Sequence, residues 1–266
     1  MCGICGFTGS LNDEYKTVLT NMMNKIIHRG PDSAGQYIDD GIYLGFRRLS
    51  IIDLDNGSQP MSNKDKDITV VFNGEIYNYK ELREELIKKG YTFQNNSDTE
   101  TLINGYAEYG TDLVAHLRGM FAFVIWDKKN KTLFGARDHF GIKPFYYGLI
   151  NDNLVFGSEI KSILEYPEYK KAVNLEALQA YLTFQYSVLP ETFFKGIYKL
   201  MPGHYMIYKD GKLEITRYFE PTFEPEKGLT KDEWVKRIDE ATKDSVDYHM
   251  ISDVEVASLL SSGVDS

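Results

Sequence analysis

The chain has 266 residues, of which 42% are hydrophobic and 14% aromatic, so it can bury the core of one large domain or of one domain and part of another. Its formal net charge is −9, which argues against a protein that binds nucleic acid by neutralising phosphates. No apolar run reaches membrane-spanning length, no signal peptide begins the chain, and there are only two cysteines. We therefore expect a soluble, cytoplasmic protein with neither membrane nor nucleic-acid partners.

The first unusual feature is a cysteine directly after the initiator methionine. Removal of Met1 would leave Cys2 with a thiol and a free α-amine, whose ordinary pKa of about 7.7–8.0 lets the neutral amine take the thiol proton. Cys2 and Cys5 also form a C-x-x-C pattern, typical of redox pairs and half zinc sites, but no second pair follows and the histidines lack ligand spacing. We expect no metal site and a buried, structural Cys5. From position alone, Cys2 is equally well explained as a nucleophile or as an ordinary terminal residue.

The chain then contains a series of predicted helices and strands. Asn12 is placed to cap a helix that ends before His28, and the apolar runs 42–46, 49–54 and 68–72 predict strands. Asn73-Gly74 lies between apolar runs and is typical of a hairpin turn. Helices are predicted for 79–89 and, after the capping residue Ser97, for 98–109, and 120–126 predicts a strand buried on both faces.

The second half of the chain begins with three more predicted strands, followed by helices and further short strands. Runs 132–137, 145–149 and 154–157 predict strands, followed by a short helix from Glu159 and a helix capped by Asn174. Strands are predicted for 205–208 and 213–218, a helix for 230–249 and a buried strand for 254–260. Paired strands with helices outside them predict an α+β sandwich rather than a doubly wound sheet.

We divide the chain into residues 1–165, a connecting segment with short strands at 166–228, and residues 229–266 as the truncated start of a second domain. The last part ends in a Ser/Gly-rich loop after its predicted strand, where loops that cradle phosphates occur, without the helix that completes such a site. We expect the sequence to be a piece of a longer protein.

Several stretches together match one family, and they occur in the order Met1-Cys2-Gly3-Ile4-Cys5-Gly6, His28-Arg29-Gly30-Pro31-Asp32, Arg48-Leu49-Ser50-Ile51-Ile52-Asp53, Phe72-Asn73-Gly74-Glu75-Ile76-Tyr77-Asn78, Ser97-Asp98-Thr99-Glu100, Arg118-Gly119-Met120-Phe121-Ala122-Phe123 and Arg137-Asp138-His139-Phe140-Gly141-Ile142-Lys143-Pro144. The chain resembles the glutaminase domain of glutamine-hydrolysing asparagine synthetases, which are class II glutamine amidotransferases. The resemblance implies the four-layer αββα sandwich of N-terminal-nucleophile (Ntn) hydrolases. It also implies that the tail is the start of an α/β ATP-pyrophosphatase-type domain, although Ser261-Ser262-Gly263 stands where relatives commonly have Ser-Gly-Gly.

The resemblance also implies roles for individual residues. Cys2 would attack the carboxamide of glutamine, form a γ-glutamyl thioester and release ammonia, while the Asn73 side chain and the Gly74 N–H stabilise the oxyanion. The expected substrate-binding set is Arg48 for the α-carboxylate, backbone groups of Leu49, Ser50, Ile51 and Ile52, and Glu75 and Asp98 for the α-ammonium. Without the resemblance, Asn73-Gly74 would be interpreted as a hairpin turn. Asp98 would be interpreted as an acidic residue in the first turn of a helix, where a negative charge is favourable. Arg47 is expected to be a surface residue and His139 to be structural.

Glutamine hydrolysis would need no cofactor, whereas Mg-ATP is expected in the full-length synthetase. The expected ATP-loop residues in this chain are Ser261, Gly263, Asp265 and Ser266. The implied partners are glutamine and the synthetase domain of the same chain, and a homodimer is compatible with the sequence. Three alternatives stay open: an amidotransferase of another branch, a hydrolase of another amide, and a non-catalytic module that docks on a synthetase partner.

Overall fold

The computed structural model describes residues 1–49, 57–187, 189–252, 255–257 and 261–263. The strands of these residues are β1 (Gly3–Gly9), β2 (Ser33–Asp39), β3 (Gly41–Arg48), β4 (Met61–Ser62), β5 (Ile68–Ile76), β6 (Gly119–Asp127), β7 (Thr132–Arg137), β8 (Tyr146–Ile150), β9 (Asn153–Gly157), β10 (Tyr198–Lys199), β11 (His204–Lys209) and β12 (Lys212–Arg217). They form two antiparallel sheets. The first sheet has the order β10-β8-β9-β1-β3-β2, and the second has the order β12-β11-β7-β6-β5-β4.

The helices are α1 (Asp13–Lys25), α2 (Tyr79–Lys88), α3 (Asp98–Tyr109), α4 (Ile160–Ile163), α5 (Leu175–Phe184) and α6 (Lys231–His249). Side-chain caps begin several of them at the predicted residues: Asn12 accepts from the backbone of α1, Ser97 from that of α3 and Asn174 from that of α5. Thr230 and Glu233 form a complete capping box at the start of α6. The predicted helices are therefore confirmed.

The alternation of side chains along the strands separates the molecule into layers. The layer between the two sheets is apolar and takes Ile42, Leu44 and Phe46 from β3 and Ala122, Val124 and Trp126 from β6. The intervening residue Tyr43 of β3 packs with α1 and α4 on the outer face of the first sheet. Residues Phe121, Phe123 and Ile125 of β6 pack with α2 and α3 on the outer face of the second sheet. The predicted α+β sandwich with the layer order αββα is confirmed.

The predicted hairpin turn at Asn73-Gly74 is wrong, because β5 continues straight through both residues. Asn73 pairs with Ala122 and Gly74 with Phe121 in a single antiparallel ladder that reaches Ile76. A Cβ on Gly74 would lie 2.0 Å from the Met120 carbonyl oxygen, so close approach to the neighbouring strand requires the glycine. Pairing with a strand distant in sequence therefore overrides the local tendency of Asn-Gly to turn.

Tight turns with positive φ values connect two other pairs of neighbouring strands. Asn151-Asp152 joins β8 to β9 with φ values of 48° and 63°, and Asp210-Gly211 joins β11 to β12 with φ values of 51° and 76°. The predicted strand 49–54 lies outside the described residues except for Leu49. The predicted buried strand 254–260 is wrong for its described residues 255–257, which are exposed and carry no strand assignment. A strand is buried only between neighbours, and no described strand pairs with these residues.

Strands of segment 166–228 extend both sheets. β10 pairs with β8 in the first sheet, and β11 pairs with β7 in the second. The division of the chain at residues 165 and 228 stays a prediction. Within the described residues, no helix combines the length and the apolar character that crossing a membrane requires.

Candidate active site

The Cys2 side chain packs against the apolar layer between the two sheets, just before β1. Its Sγ lies 3.4 Å from the carbonyl oxygen of Leu49, to which the thiol donates, and 3.4 Å from the Leu49 amide, which donates to the sulfur. Burial raises the pKa of the Cys2 thiol, and the nearby Glu75 carboxylate raises it further. The Leu49 N–H and the Arg48 charge act in the opposite direction. Because the net effect favours the neutral thiol, a nucleophile at this position needs a base to remove its proton.

Two neighbouring arginines of β3 lie on opposite faces of the first sheet. Arg48 shares the face of Phe46, is 7% exposed and lines the cavity that contains Cys2. Arg47 lies on the other face, where its guanidinium donates to the Met23 carbonyl at 3.2 Å and to the Asn24 side chain at 2.6 Å. The period of two along the strand thus brings Arg48, and not Arg47, to the candidate site.

The middle layer of the molecule also receives polar side chains from β5 of the second sheet. Asn73 and Glu75 share the face of Val71, which packs in the layer between the sheets. Asn73 is 1% exposed, and its Nδ2 is buried without a hydrogen-bond partner. A buried amide donor that has no partner is costly and uncommon in folded proteins. The second sheet therefore holds a buried N–H donor without a partner on the face that it turns toward the first sheet.

Asp98 is the first residue of α3 and is 5% exposed. Its Oδ2 accepts from the Ile76 amide at 3.0 Å, which ties the start of α3 to the end of β5. Burial raises the pKa of the Asp98 carboxyl to about 6, against hydrogen bonds from Ile76 and Thr99 that favour the ionised form. The helix N-terminus also favours a carboxylate here, so the first-turn interpretation and a binding role are compatible.

One cavity brings most of the predicted residues together. Its lining includes Cys2, Arg48, Leu49, Gly74, Glu75 and Asp98. These residues offer a thiol, a guanidinium and two carboxylates, the chemistry that an α-amino acid with a second carbonyl group requires. Ser50, Ile51 and Ile52, which we expected to line the same pocket, lie outside the described residues.

Residues that the sequence did not single out as ligands also surround the site. Gln59 lines the cavity, accepts from the Phe72 amide at 2.6 Å and donates to the Thr99 hydroxyl at 3.3 Å, so it bridges β5 and α3. Lys143 is buried, and burial lowers the pKa of its ammonium while the charges of Glu75 and Cys2 raise it. Lys143 stands in a quoted family stretch, but Gln59 has no signal in the sequence because its partners are distant along the chain.

The His28-Arg29-Gly30 stretch contacts the N-terminal segment of the chain. The Arg29 Nε donates to the Cys2 carbonyl at 2.9 Å, and its Nη1 lies 3.1 Å from the Glu159 carboxylate. A Cβ on Gly30 would lie 2.3 Å from the carbonyl carbon of Arg47, so only glycine lets this segment pack on β3. The backbone of Cys2 is thereby fixed from outside the first sheet.

Met1 is present in the described chain and is 54% exposed. Burial lowers the pKa of its α-amine, although the charge of Cys2 raises it. While Met1 is attached, the nitrogen of Cys2 is an amide and cannot accept a proton. The amine that would serve Cys2 as a base exists only after Met1 is removed.

Two of the predicted ATP-loop residues, Ser261 and Gly263, lie within the described residues, and their role in binding ATP stays a prediction. Both are exposed, and the Gly263 amide donates to the Ser261 hydroxyl at 3.1 Å. Asp265 and Ser266 lie outside the described residues. The described residues also contain no cluster of histidine, cysteine or acidic side chains that could hold a metal ion.

His139 packs among aromatic rings, with its ring centre 4.5 Å from that of Phe219 and 5.4 Å from that of Tyr218. Burial lowers its pKa. These contacts agree with the structural role expected from the sequence.

A glutamine amidotransferase domain model matches residues 1–219. The chain belongs to the glutamine amidotransferase domain family. Residues 237–266 match a second model, described as asparagine synthase. The resemblance noted in the sequence is therefore confirmed at the level of the family.

Curated relatives extend well beyond this chain. Asparagine synthetase [glutamine-hydrolyzing] 1 of Bacillus subtilis is 46% identical over 99% of this chain and 43% of its own length. Asparagine synthetase [glutamine-hydrolyzing] 3 of the same organism is 38% identical over 100% of this chain and 44% of its own length. Amidase chry2 of Gibberella zeae is 35% identical over 100% of this chain and 42% of its own length. The chain thus spans less than half the length of these relatives.

Solved structures support the fold. A structure titled as the allosteric regulatory enzyme of purine biosynthesis has a TM-score of 0.62 at 19% identity, covering 83% of this chain and 50% of that chain. The glutamine phosphoribosylpyrophosphate amidotransferase of B. subtilis has a TM-score of 0.59, also at 19% identity, over 83% of this chain and 50% of that one. At this identity the similarity concerns the fold alone.

Proposed function

We propose that this chain hydrolyses glutamine to glutamate and ammonia, with Cys2 as the nucleophile after removal of Met1. The proposal rests on two groups, one at each of the facing surfaces of the two sheets: a thiol that needs a base and a buried amide that lacks a hydrogen-bond acceptor. Cys2 on the first sheet has a thiol whose pKa is raised by burial, and Asn73 on the second sheet has a buried amide donor without a partner. A tetrahedral intermediate between the two sheets would be bonded to the Cys2 sulfur, and its oxyanion would accept a hydrogen bond from the Asn73 amide.

Binding would place the zwitterion of glutamine across the cavity. Arg48 would pair with the α-carboxylate, for which a guanidinium offers parallel donors. Glu75 and Asp98 would hold the α-ammonium, because both are buried acids on the opposite side of the cavity from β3. The side chain of glutamine would then extend toward Cys2.

Acylation would begin when the neutral α-amine of Cys2 takes the thiol proton. The thiolate attacks the carboxamide carbon and forms a C–S bond, while the carbonyl π electrons move to oxygen. The Asn73 amide and the Gly74 N–H donate to that oxyanion. The ammonium of Cys2 returns the proton to the leaving nitrogen, the C–N bond breaks, and ammonia departs from a γ-glutamyl thioester.

Deacylation would use the same groups, with the α-amine of Cys2 again acting first as a base and then as an acid. The α-amine takes a proton from a water molecule, whose oxygen attacks the thioester carbon. The C–S bond then breaks, the sulfur regains a proton, and glutamate leaves. The balance is one glutamine and one water converted to one glutamate and one ammonia.

We test the nucleophile with the glutamine-derived electrophile diazo-oxo-norleucine, followed by peptide mass spectrometry, on protein whose mass verifies the loss of Met1. We expect an adduct on Cys2 together with ammonia release from glutamine, and neither in Cys2→Ala. Cys5→Ala is the matched control and should keep both, because Cys5 is fully buried beneath α1 and burial raises its thiol pKa. No adduct on Cys2 and no ammonia in the processed protein would overturn the enzymatic proposal in favour of a non-catalytic module.

The donor is tested separately with Asn73→Ala. Loss of one preorganised oxyanion donor lowers kcat by about 10²- to 10³-fold. Asn104→Ala is the control, since Asn104 is also a buried amide but already donates to the Thr92 carbonyl at 3.2 Å. An equal, small loss of kcat in both variants would contradict the assignment of Asn73.

In a longer polypeptide, we propose that the ammonia amidates aspartate in a reaction driven by Mg-ATP. The support is the match of residues 237–266 to asparagine synthase and the printed names of the B. subtilis relatives. The amidase-named relative favours a second candidate, hydrolysis of a different amide. Ammonia release from a panel of free and N-substituted amides distinguishes them: preference for glutamine supports the first, and preference for another amide supports the second.

A further inference from the structure

Helix α6 carries few contacts for its length, and they converge on one small region of the glutamine amidotransferase domain. None of its residues is buried, and apolar side chains such as Val235 and Ile238 are exposed. The docking of α6 therefore depends on a few specific side-chain contacts rather than on a packed face.

Those contacts are made by the last turns of α6. The Arg118 guanidinium is hydrogen bonded to the Asp244 carboxylate and lies 3.8 Å from the centre of the Tyr248 ring. The Tyr248 hydroxyl donates to the Glu81 carboxylate of α2 at 3.1 Å. The His249 ring lies 4.6 Å from that of Tyr77. We call these six residues the α6 clamp.

The inner side of the clamp is continuous with the candidate site. The Tyr77 amide donates to the Arg118 carbonyl at 2.8 Å, and the Arg118 amide donates to the Asn78 side chain at 2.8 Å. Gly119 packs directly on the Glu75 carbonyl, from which a Cβ would be only 2.3 Å away. The Ile76 amide donates to Asp98. The clamp therefore contacts the same backbone segment, residues 75–78, that carries Glu75 and donates a hydrogen bond to Asp98.

The clamp also joins the two parts of the chain that match different families. Arg118, Glu81 and Tyr77 lie within residues 1–219, and Asp244, Tyr248 and His249 lie within residues 237–266. A displacement of α6 would act first on Arg118 and Tyr77, and through them on the end of β5.

We propose that the α6 clamp positions Glu75 and Asp98 for the α-ammonium of glutamine, so that Arg118 and Tyr248 are positioning residues for substrate binding. This rests on the proposed function of the site. Since the clamp does not touch Cys2 or Asn73, its loss raises KM and leaves kcat within about twofold. The rise in KM is about 2- to 30-fold, the range typical of coupling through packed side chains.

The experiment compares Asp244→Asn, Tyr248→Leu and their combination with Asp247→Asn, all in the chain of residues 2–266. Asp247 is the matched control because it lies on the same helix and takes no part in the clamp. Steady-state ammonia release gives KM and kcat. Hydrogen exchange of peptides covering 73–78 reports the anchoring of β5, with peptides from β1 and β3 as the internal reference.

The expected result is a higher KM, an unchanged kcat and faster exchange at 73–78 in the clamp variants, with Asp247→Asn like the wild type. Tyr248→Phe should have a smaller effect than Tyr248→Leu, because it keeps the ring beneath Arg118. An unchanged KM in the double variant would overturn the proposal, whether or not exchange is faster. If the wild type releases no ammonia, the proposed function fails, and the clamp is then tested by exchange alone: equal rates in the double variant and Asp247→Asn overturn it.

Discussion

Arg47 and Arg48 differ in environment although they are adjacent, and this difference separates binding from stability. Arg48→Ala should raise KM for glutamine by about 10- to 100-fold, because charge-assisted hydrogen bonds to a carboxylate contribute about 1.5–3 kcal/mol. Arg47→Ala should leave KM unchanged and lower the free energy of unfolding by about 1 kcal/mol, since it loses its hydrogen bonds to Met23 and Asn24. Kinetics and urea unfolding measure both. Equal KM values in the two variants would remove Arg48 from the substrate site.

The Asp98 carboxyl predicts a pH dependence of substrate binding. Its pKa of about 6 means that the carboxylate, the form able to pair with an ammonium, is lost as the pH falls through this value. KM for glutamine should therefore rise by about tenfold between pH 8 and about pH 5, following simple ionisation of one group. The measurement is KM and kcat as separate functions of pH.

Asp98→Asn provides the matched comparison for that profile. Its KM should be high at every pH and should lack the inflection near 6, because the amide does not titrate in this range. If the variant keeps the inflection, another group is responsible for it. Changes confined to kcat would instead report the Cys2 thiol and its amine.

At the scale of single elements, β5 depends on the glycine two residues before its end. In Gly74→Ala the new Cβ would lie 2.0 Å from the Met120 carbonyl, which is backbone and cannot move independently of β6. We expect stability to fall by about 1–3 kcal/mol and kcat to fall with it, because Asn73 is displaced. Gly135→Ala on β7 is the control, since its nearest contact is the flexible end of Met206 at 2.8 Å. Comparable losses of kcat in both would show that β5 has no special role.

Local patterns predicted the elements better than they predicted the site. The helices were predictable because caps such as Asn12 and Ser97 and the apolar period act within one or two turns. Asn73-Gly74 was misread because its partner Phe121 lies on a strand far along the chain, and no local rule reports that pairing. The residues of the cavity were predicted only through the family stretches, and Gln59 escaped because nothing near it in sequence indicates that it bridges β5 and α3.

At the scale of the whole molecule, the site exists only while the two sheets are correctly spaced. Cys2 directly precedes β1 and Arg48 ends β3, both of the first sheet, whereas Asn73 and Glu75 belong to β5 of the second sheet. The apolar layer between the two sheets sets their separation. Interiors are close-packed, so an added side-chain volume in this layer must move one sheet relative to the other. Catalysis should therefore be more sensitive to this layer than to the outer layers.

Ala122→Leu and Ala136→Leu test this dependence with one substitution on two faces of the second sheet. Both alanines are fully buried, but Ala122 lies between the sheets opposite Asn73 in the ladder, and Ala136 lies beneath the outer helices. Each variant should lose about 1–3 kcal/mol of stability through overpacking. Only Ala122→Leu should also lower kcat, by about tenfold or more, because displacing a catalytic group by about 1 Å is costly. Thermal unfolding and kcat are measured on the same preparations of both variants. Equal losses of kcat at equal stability would mean that the spacing of the sheets does not align Cys2 with Asn73.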